Sequence, residues 1–218
     1  MTPSRFRRLP SLLLVAFVVG LPACAQEPTP TAGELWDEGV PFSTFLANAD
    51  RRVETWEGNW DRGRDLSPET LAAGRRIPGV WRLLVVAEDY CGDSANTVPY
   101  VARLAEALDN LEVRIVDSSA GRGVMEHHPT PDGRPATPTM VLLDADGGEA
   151  GCLVEQPQPL QRWWLGEAKE IEEEERFRQK YAWYDEDAGA STTAEVVEMM
   201  AAAAAGTPVC RAGGTEGA

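Results

Sequence analysis

Basic residues are scarce: 20 Lys and Arg stand against 35 Asp and Glu, a net charge of −15. A nucleic-acid binder needs a basic face, so that class is excluded. The acidity reads instead as the surface of a soluble exported protein. Histidine is scarcer still, with two residues, and these are adjacent, His127-His128. Neighbouring side chains point in different directions, so even taken with Cys91 and Asp93 they make a loop face rather than a metal site. Asp144-x-Asp146-Gly147 lacks the further ligands of a calcium loop and reads as a hairpin turn. No phosphate-binding loop, Ser-His-Asp spacing or internal repeat is present, and no metal or cofactor is called for. Cysteine occurs four times, as Cys24, Cys91, Cys152 and Cys210. With Cys24 removed or lipidated, three remain. An odd number in an oxidising compartment leaves at least one thiol free or paired outside the chain.

Long apolar runs are also wanting. The N-terminal one, Leu12 to Val19, is too short for a comfortable membrane span. Arg5, Arg7 and Arg8 precede it and small residues follow, so residues 1–25 read as a secretory signal. Ala23-x-Ala25 suits cleavage before Gln26. Leu21-Pro22-Ala23-Cys24 resembles a lipoprotein box, although Pro22 is unusual inside one, and this reading is slightly preferred. Cys24 would then carry a lipid that tethers the protein to a membrane without a spanning helix. Either way the protein is expected to be exported, to the periplasm or as a cell-envelope lipoprotein. Losing the signal takes three basic residues and no acidic one, moving the net charge from −15 to −18.

Residues 26–79 read as a Pro/Thr-rich linker and an N-terminal helical extension. Phe45, Leu46, Ala49, Val53, Trp56 and Trp60 recur at helical spacing from Ser43 to about Arg62. Gly63 ends that helix, and Ser67-Pro68-Glu69 opens a second with a serine cap and proline in the first turn. Residues 80–165 form an α/β domain. Val80–Ala87 is a near-continuous apolar strand, suited to the centre of a sheet covered on both faces. A helix over Ser94–Asp109, a strand over Leu111–Asp117 and a looser helix or loop over Ser118–His128 follow. Thr139–Leu143 and Glu149–Glu155 are strands joined by the turn Asp144–Gly148. The order β-α-β-α-β-β-α predicts a mixed four-stranded sheet with helices on both faces. Residues 166–218 are a C-terminal helical extension and tail. Glu172–Glu175 is a solvated face, and Trp163, Trp164, Trp183 and Tyr184 dock these helices on the core. Thr192 and Glu195 form a capping box for the last helix, and Gly206–Ala218 is a frayed tail.

Cys91 falls just beyond the first strand, flanked by Tyr90 and Gly92, with Pro99 eight residues on and Thr137-Pro138-Thr139 opening the third strand. In that order and in those elements, these residues resemble the thioredoxin superfamily over residues 80–165. The core Tyr90-Cys91-Gly92-Asp93 is similar to a bacterial subgroup with Trp-Cys-Gly-Asp. The segment Trp183 to Gly189 and the N-terminal helices resemble that subgroup too. The resemblance implies that Cys91 is the reactive thiol. It also implies that Pro138 follows a cis bond, leaving the Thr137 backbone free to pair with an extended substrate. The implied partners are protein or small-molecule thiols and disulfides.

The departures from the family matter. Ser94 stands where a second cysteine would resolve a mixed disulfide, and Val85 where a buried carboxylate would assist proton transfer. A thiol at a helix N-terminus faces unpaired N–H groups that favour thiolate. Ser94 Oγ could donate to it as well, whereas the charge of Asp93 would oppose it. Cys152 lies only four residues past the hairpin at the far end, so at about 3.3 Å per residue it does not return to Cys91. Cys210, in the tail, is able to reach either thiol, which leaves a Cys152–Cys210 bond open. Two functions follow: a thiol–disulfide oxidoreductase acting through the single thiol of Cys91, or a redox-inactive thioredoxin-like module that binds protein. The sequence leaves the oligomeric state open.

Overall fold

A computed structural model describes residues 29–211. The signal and lipidation readings, Cys24 included, lie outside the described residues.

Four helices lead in: α1 (Ala32–Leu35), α2 (Phe42–Ala47), α3 (Val53–Arg62) and α4 (Pro68–Arg76). The long helix expected from Ser43 to Arg62 is broken. Arg52 takes a left-handed φ of 51°, and Asp89 Oδ2 accepts the amides of Asp50 (2.8 Å) and Arg51 (3.0 Å). A carboxylate from the central loop thus satisfies backbone groups that a continuous helix would have paired.

Next come β1 (Trp81–Val86), α5 (Gly92–Ala107), β2 (Leu111–Val116) and α6 (Arg122–His127), the last giving shape to the looser segment. The hairpin of β3 (Thr139–Leu143) and β4 (Glu149–Val154) leads to α7 (Gln158–Leu165), α8 (Glu173–Asp187), α9 (Ala190–Ala204) and β5 (Val209–Arg211). The sheet has five strands in the order β2-β1-β3-β4-β5. β1 pairs parallel with β2 and antiparallel with β3, β3 antiparallel with β4, and β4 parallel with β5.

Strand alternation sorts the core into two layers. Leu83, Val85, Met140, Leu142 and Leu153 face α5 and α9, joined by Phe42 and Trp56 from the N-terminal helices. Leu84, Val86, Val141, Cys152 and Val154 face the other way, against Leu35, Trp36, Val124 and Met125. Pro99 lies inside α5 and cannot donate to the carbonyl of Ala95. The buried Asn59 of α3 does so instead, Nδ2 to Ala95 O at 2.8 Å, and accepts the Tyr100 hydroxyl at 3.0 Å. The backbone hydrogen bond that Pro99 cannot make is thus replaced by a side-chain link that holds the N-terminal helices to α5.

Two expectations for the C-terminus are corrected. The tail is not frayed through Arg211: Val209–Arg211 adds the fifth strand, and Cys210 is disulfide-bonded to Cys152. Nor do Thr192 and Glu195 cap the last helix. It starts at Ala190 after Gly189 (φ 77°), and Glu195 instead accepts the Gln158 amide at the start of α7 at 2.8 Å.

Candidate functional site

The loop between β1 and α5 is held from both sides. Glu88 Oε1 accepts the Ser118 amide at 2.9 Å, Trp56 Nε1 donates to Asp89 O at 2.9 Å, and Arg52 Nε donates to Tyr90 O at 2.7 Å. Tyr90 is exposed, while Cys91 and Gly92 are half-buried. The chain therefore delivers Cys91 as the N-cap of α5, at the mouth of the sheet.

The thiol has two polar neighbours. Cys91 Sγ donates to Thr137 O at 3.1 Å and accepts the Ser94 amide at 3.5 Å. The Thr137–Pro138 bond is cis. Ionisation removes the first contact and keeps the second, so a donor remains on the sulfur. The hydroxyl of Ser94 is not that donor. Ser94 is fully buried and its Oγ has no partner, so its backbone, not its side chain, serves the thiol. Val85, where the family's buried carboxylate would stand, is buried among apolar groups.

Asp93 does not stand against Cys91 as a bare charge. It is buried, with Oδ2 2.7 Å from Lys180 Nζ and Oδ1 accepting the Tyr184 hydroxyl at 2.7 Å. Both partners lie on α8. The Lys180 ammonium also sits 4.8 Å from the Trp164 ring centroid, a cation–π contact at a desolvated site. Burial, followed by the charge of Asp93, holds the Tyr184 phenol well above its ordinary range, so it stays a donor. Tyr181, on the same helix, covers Gly92, where a Cβ would collide with its hydroxyl. A larger residue at position 92 would therefore push the Tyr181 ring aside.

A further carboxylate borders this cluster. Glu155 N donates to Pro138 O at 2.7 Å, and its side chain is pushed upward in pKa by burial and then by Asp93, against the opposing pull of Arg134 at 3.3 Å. Tyr184 was expected only to dock the C-terminal helices; the structure places it in the site. Lys180 and Tyr181 had no local signal, being 87 and 89 positions from the residues they meet. The segment Trp183 to Gly189, already noted as similar to the subgroup, was the one pointer to this helix.

The remaining candidates fall elsewhere. Cys152, fully buried, is tied to Cys210 rather than to Cys91. Among the described residues Cys91 is the one free cysteine. His128 meets Glu149 and Cys210, not Cys91 or Asp93. No described helix is long and apolar enough to cross a membrane.

A thioredoxin family model matches residues 39–181. Among solved structures, a protein of unknown function from Pseudomonas aeruginosa aligns with a TM-score of 0.58 at 21% identity, over 76% of this chain and 93% of that one. An HIV epitope scaffold aligns with a TM-score of 0.58 at 22% identity, over 76% and 94%. At these identities the likeness is one of fold. No curated protein matches the chain.

Proposed function

This chain belongs to the thioredoxin family, and we propose that it is a thiol–disulfide oxidoreductase of the cell envelope acting through Cys91 alone. Within the family we place it in the subgroup with a Trp/Tyr-Cys-Gly-Asp core. One observation carries the reading: the Cys91 sulfur is half-buried at the N-terminus of a 16-residue helix, with the Ser94 amide and the Thr137 carbonyl as its neighbours. Helix-terminal N–H groups favour the thiolate that attacks.

The thiolate attacks a partner disulfide, forming a Cys91–partner bond and expelling the partner's other sulfur as thiolate. A second thiol, from the substrate or a small molecule, then attacks the mixed disulfide and returns Cys91. That second thiol comes from outside because Ser94 occupies the resolving position and Cys152 and Cys210 are paired with each other. The envelope location rests on the signal-like N-terminus.

The test follows exchange between a labelled peptide disulfide and a small thiol. In a chain that also carries Cys152→Ser and Cys210→Ser, Cys91→Ser is expected to remove all exchange above the uncatalysed rate; unchanged exchange in that variant would end the proposal. A second reading, a redox-inactive binding module, is favoured by Val85 and Ser94, which remove both helpers of dithiol chemistry. It expects a partner to bind Cys91→Ser as well as wild type.

A further inference from the structure

Strands β4 and β5 place Cys152 directly opposite Cys210. The two cysteines differ in setting. Cys152 is fully buried in the layer facing α6, whereas Cys210 is exposed at the sheet edge. His128 approaches from the end of α6, its Nδ1 3.8 Å from Cys210 Sγ. Its other nitrogen, Nε2, lies 3.1 Å from Glu149 Oε2 on β4. The carboxylate assigns the tautomer: Nε2 carries the proton and donates it, so Nδ1 turns a free lone pair toward Cys210. Glu149, His128 and Cys210 thus stand in the order acceptor, base, thiol.

We propose that Cys152 and Cys210 form a second thiol–disulfide centre, in which exposed Cys210 reacts, buried Cys152 closes the bond, and His128, oriented by Glu149, accepts the Cys210 proton. The centre is separate from Cys91, because Cys152 lies in the layer opposite α5.

The chemistry balances with a small-molecule disulfide as oxidant. In the reduced pair, Cys210 passes its proton to His128 Nδ1, and the thiolate attacks the oxidant. A Cys210–oxidant bond forms and one small thiolate leaves. Cys152 then attacks Cys210 Sγ across the strand pair, releasing the second thiolate and closing the protein disulfide. Two electrons and two protons move from the cysteines to the two small thiols. With excess small thiol the sequence runs backwards, starting at exposed Cys210.

His128 is suited to this role near neutrality. Burial lowers its pKa, only partly offset by Glu149 and reinforced by His127, so the imidazole is unprotonated and free to accept. The groups facing it are Glu149 from β4, Cys210 from β5 and His127 beside it. A purely structural cross-link would require neither an exposed cysteine nor an oriented base.

The full chain carrying Cys91→Ser is equilibrated in mixtures of reduced and oxidised glutathione, alkylated, and mapped by peptide mass, with far-UV circular dichroism reporting the fold. The pair is expected to open and reclose while the protein stays folded. Adding Cys152→Ser is expected to trap glutathione on Cys210. His128→Ala is expected to slow reclosure about three- to tenfold at neutral pH and move its pH profile upward. Glu149→Gln, a gentler change, shifts it the same way by less. A pair that opens only on unfolding overturns the proposal. So does an unchanged rate and pH profile in both the His128 and Glu149 variants. None of these outcomes depends on Cys91, so the two centres stand or fall separately.

Discussion

Lys180 Nζ lies 2.7 Å from Asp93 Oδ2, and both side chains are buried. One ion pair therefore fastens α8 to the residue two positions beyond the candidate thiol. Removing only the cation leaves a carboxylate in low dielectric beside Cys91. Lys180→Met is expected to cost about 3–5 kcal/mol in urea unfolding. It is also expected to slow alkylation of Cys91 at neutral pH, because the uncompensated charge opposes thiolate. Asp93→Asn in the same chain is expected to recover most of both losses. Equal alkylation rates in wild type and folded Lys180→Met would show that the pair only anchors the helix.

Asn59 is a second fastening point. Its amide satisfies the Ala95 carbonyl that Pro99 leaves free, and its oxygen takes the Tyr100 hydroxyl. Asn59→Ala is expected to cost about 2–3 kcal/mol, since buried polar groups on α5 lose their partners. Chemical denaturation measures this directly.

Glu195 sets a pH dependence. Burial raises its carboxyl from 4.5 to about 7, the Gln158 amide and Arg211 opposing. Between about pH 4.5 and 7 the native state holds a proton that the unfolded chain has released. Stability therefore falls as pH rises through this window and levels off above it, by about 3 kcal/mol in all. Glu195→Gln is expected to flatten this contribution. A thermal-unfolding series from pH 4.5 to 8 that shows the same slope in both proteins would refute it.

Ser94 Oγ is buried without a partner, while the Ser94 amide caps the thiol. Ser94→Ala is thus expected to keep wild-type exchange at Cys91 and to leave stability equal or raise it by up to about 1 kcal/mol. A marked loss of exchange in Ser94→Ala would return the hydroxyl to the site.

What the sequence disclosed followed the range of the forces involved. β1 was legible because apolar residues face both layers of the core, and the placement of Cys91 before α5 followed from a strand running into a helix. The Asp93–Lys180–Tyr184 cluster was not legible, since it joins residues about ninety positions apart with no periodicity between them. The break at Arg52 was hidden for the same reason: the acceptor that stabilises it, Asp89, comes from another loop. Thr192 and Glu195 matched a capping pattern, but Gly189 already turned the chain and Glu195 was drawn to the start of α7. The tail composition gave no strand signal, and β5 forms by pairing with an edge and bonding to Cys152.

Exchange at Cys91 through a mixed disulfide is open to trapping. The folded protein is mixed with a peptide disulfide, quenched with acid, and mapped by peptide mass. A peptide adduct is expected on Cys91, and it disappears when a small thiol is added before quenching. No adduct on Cys91, with peptide exchange persisting at the wild-type rate in Cys91→Ser, would contradict it.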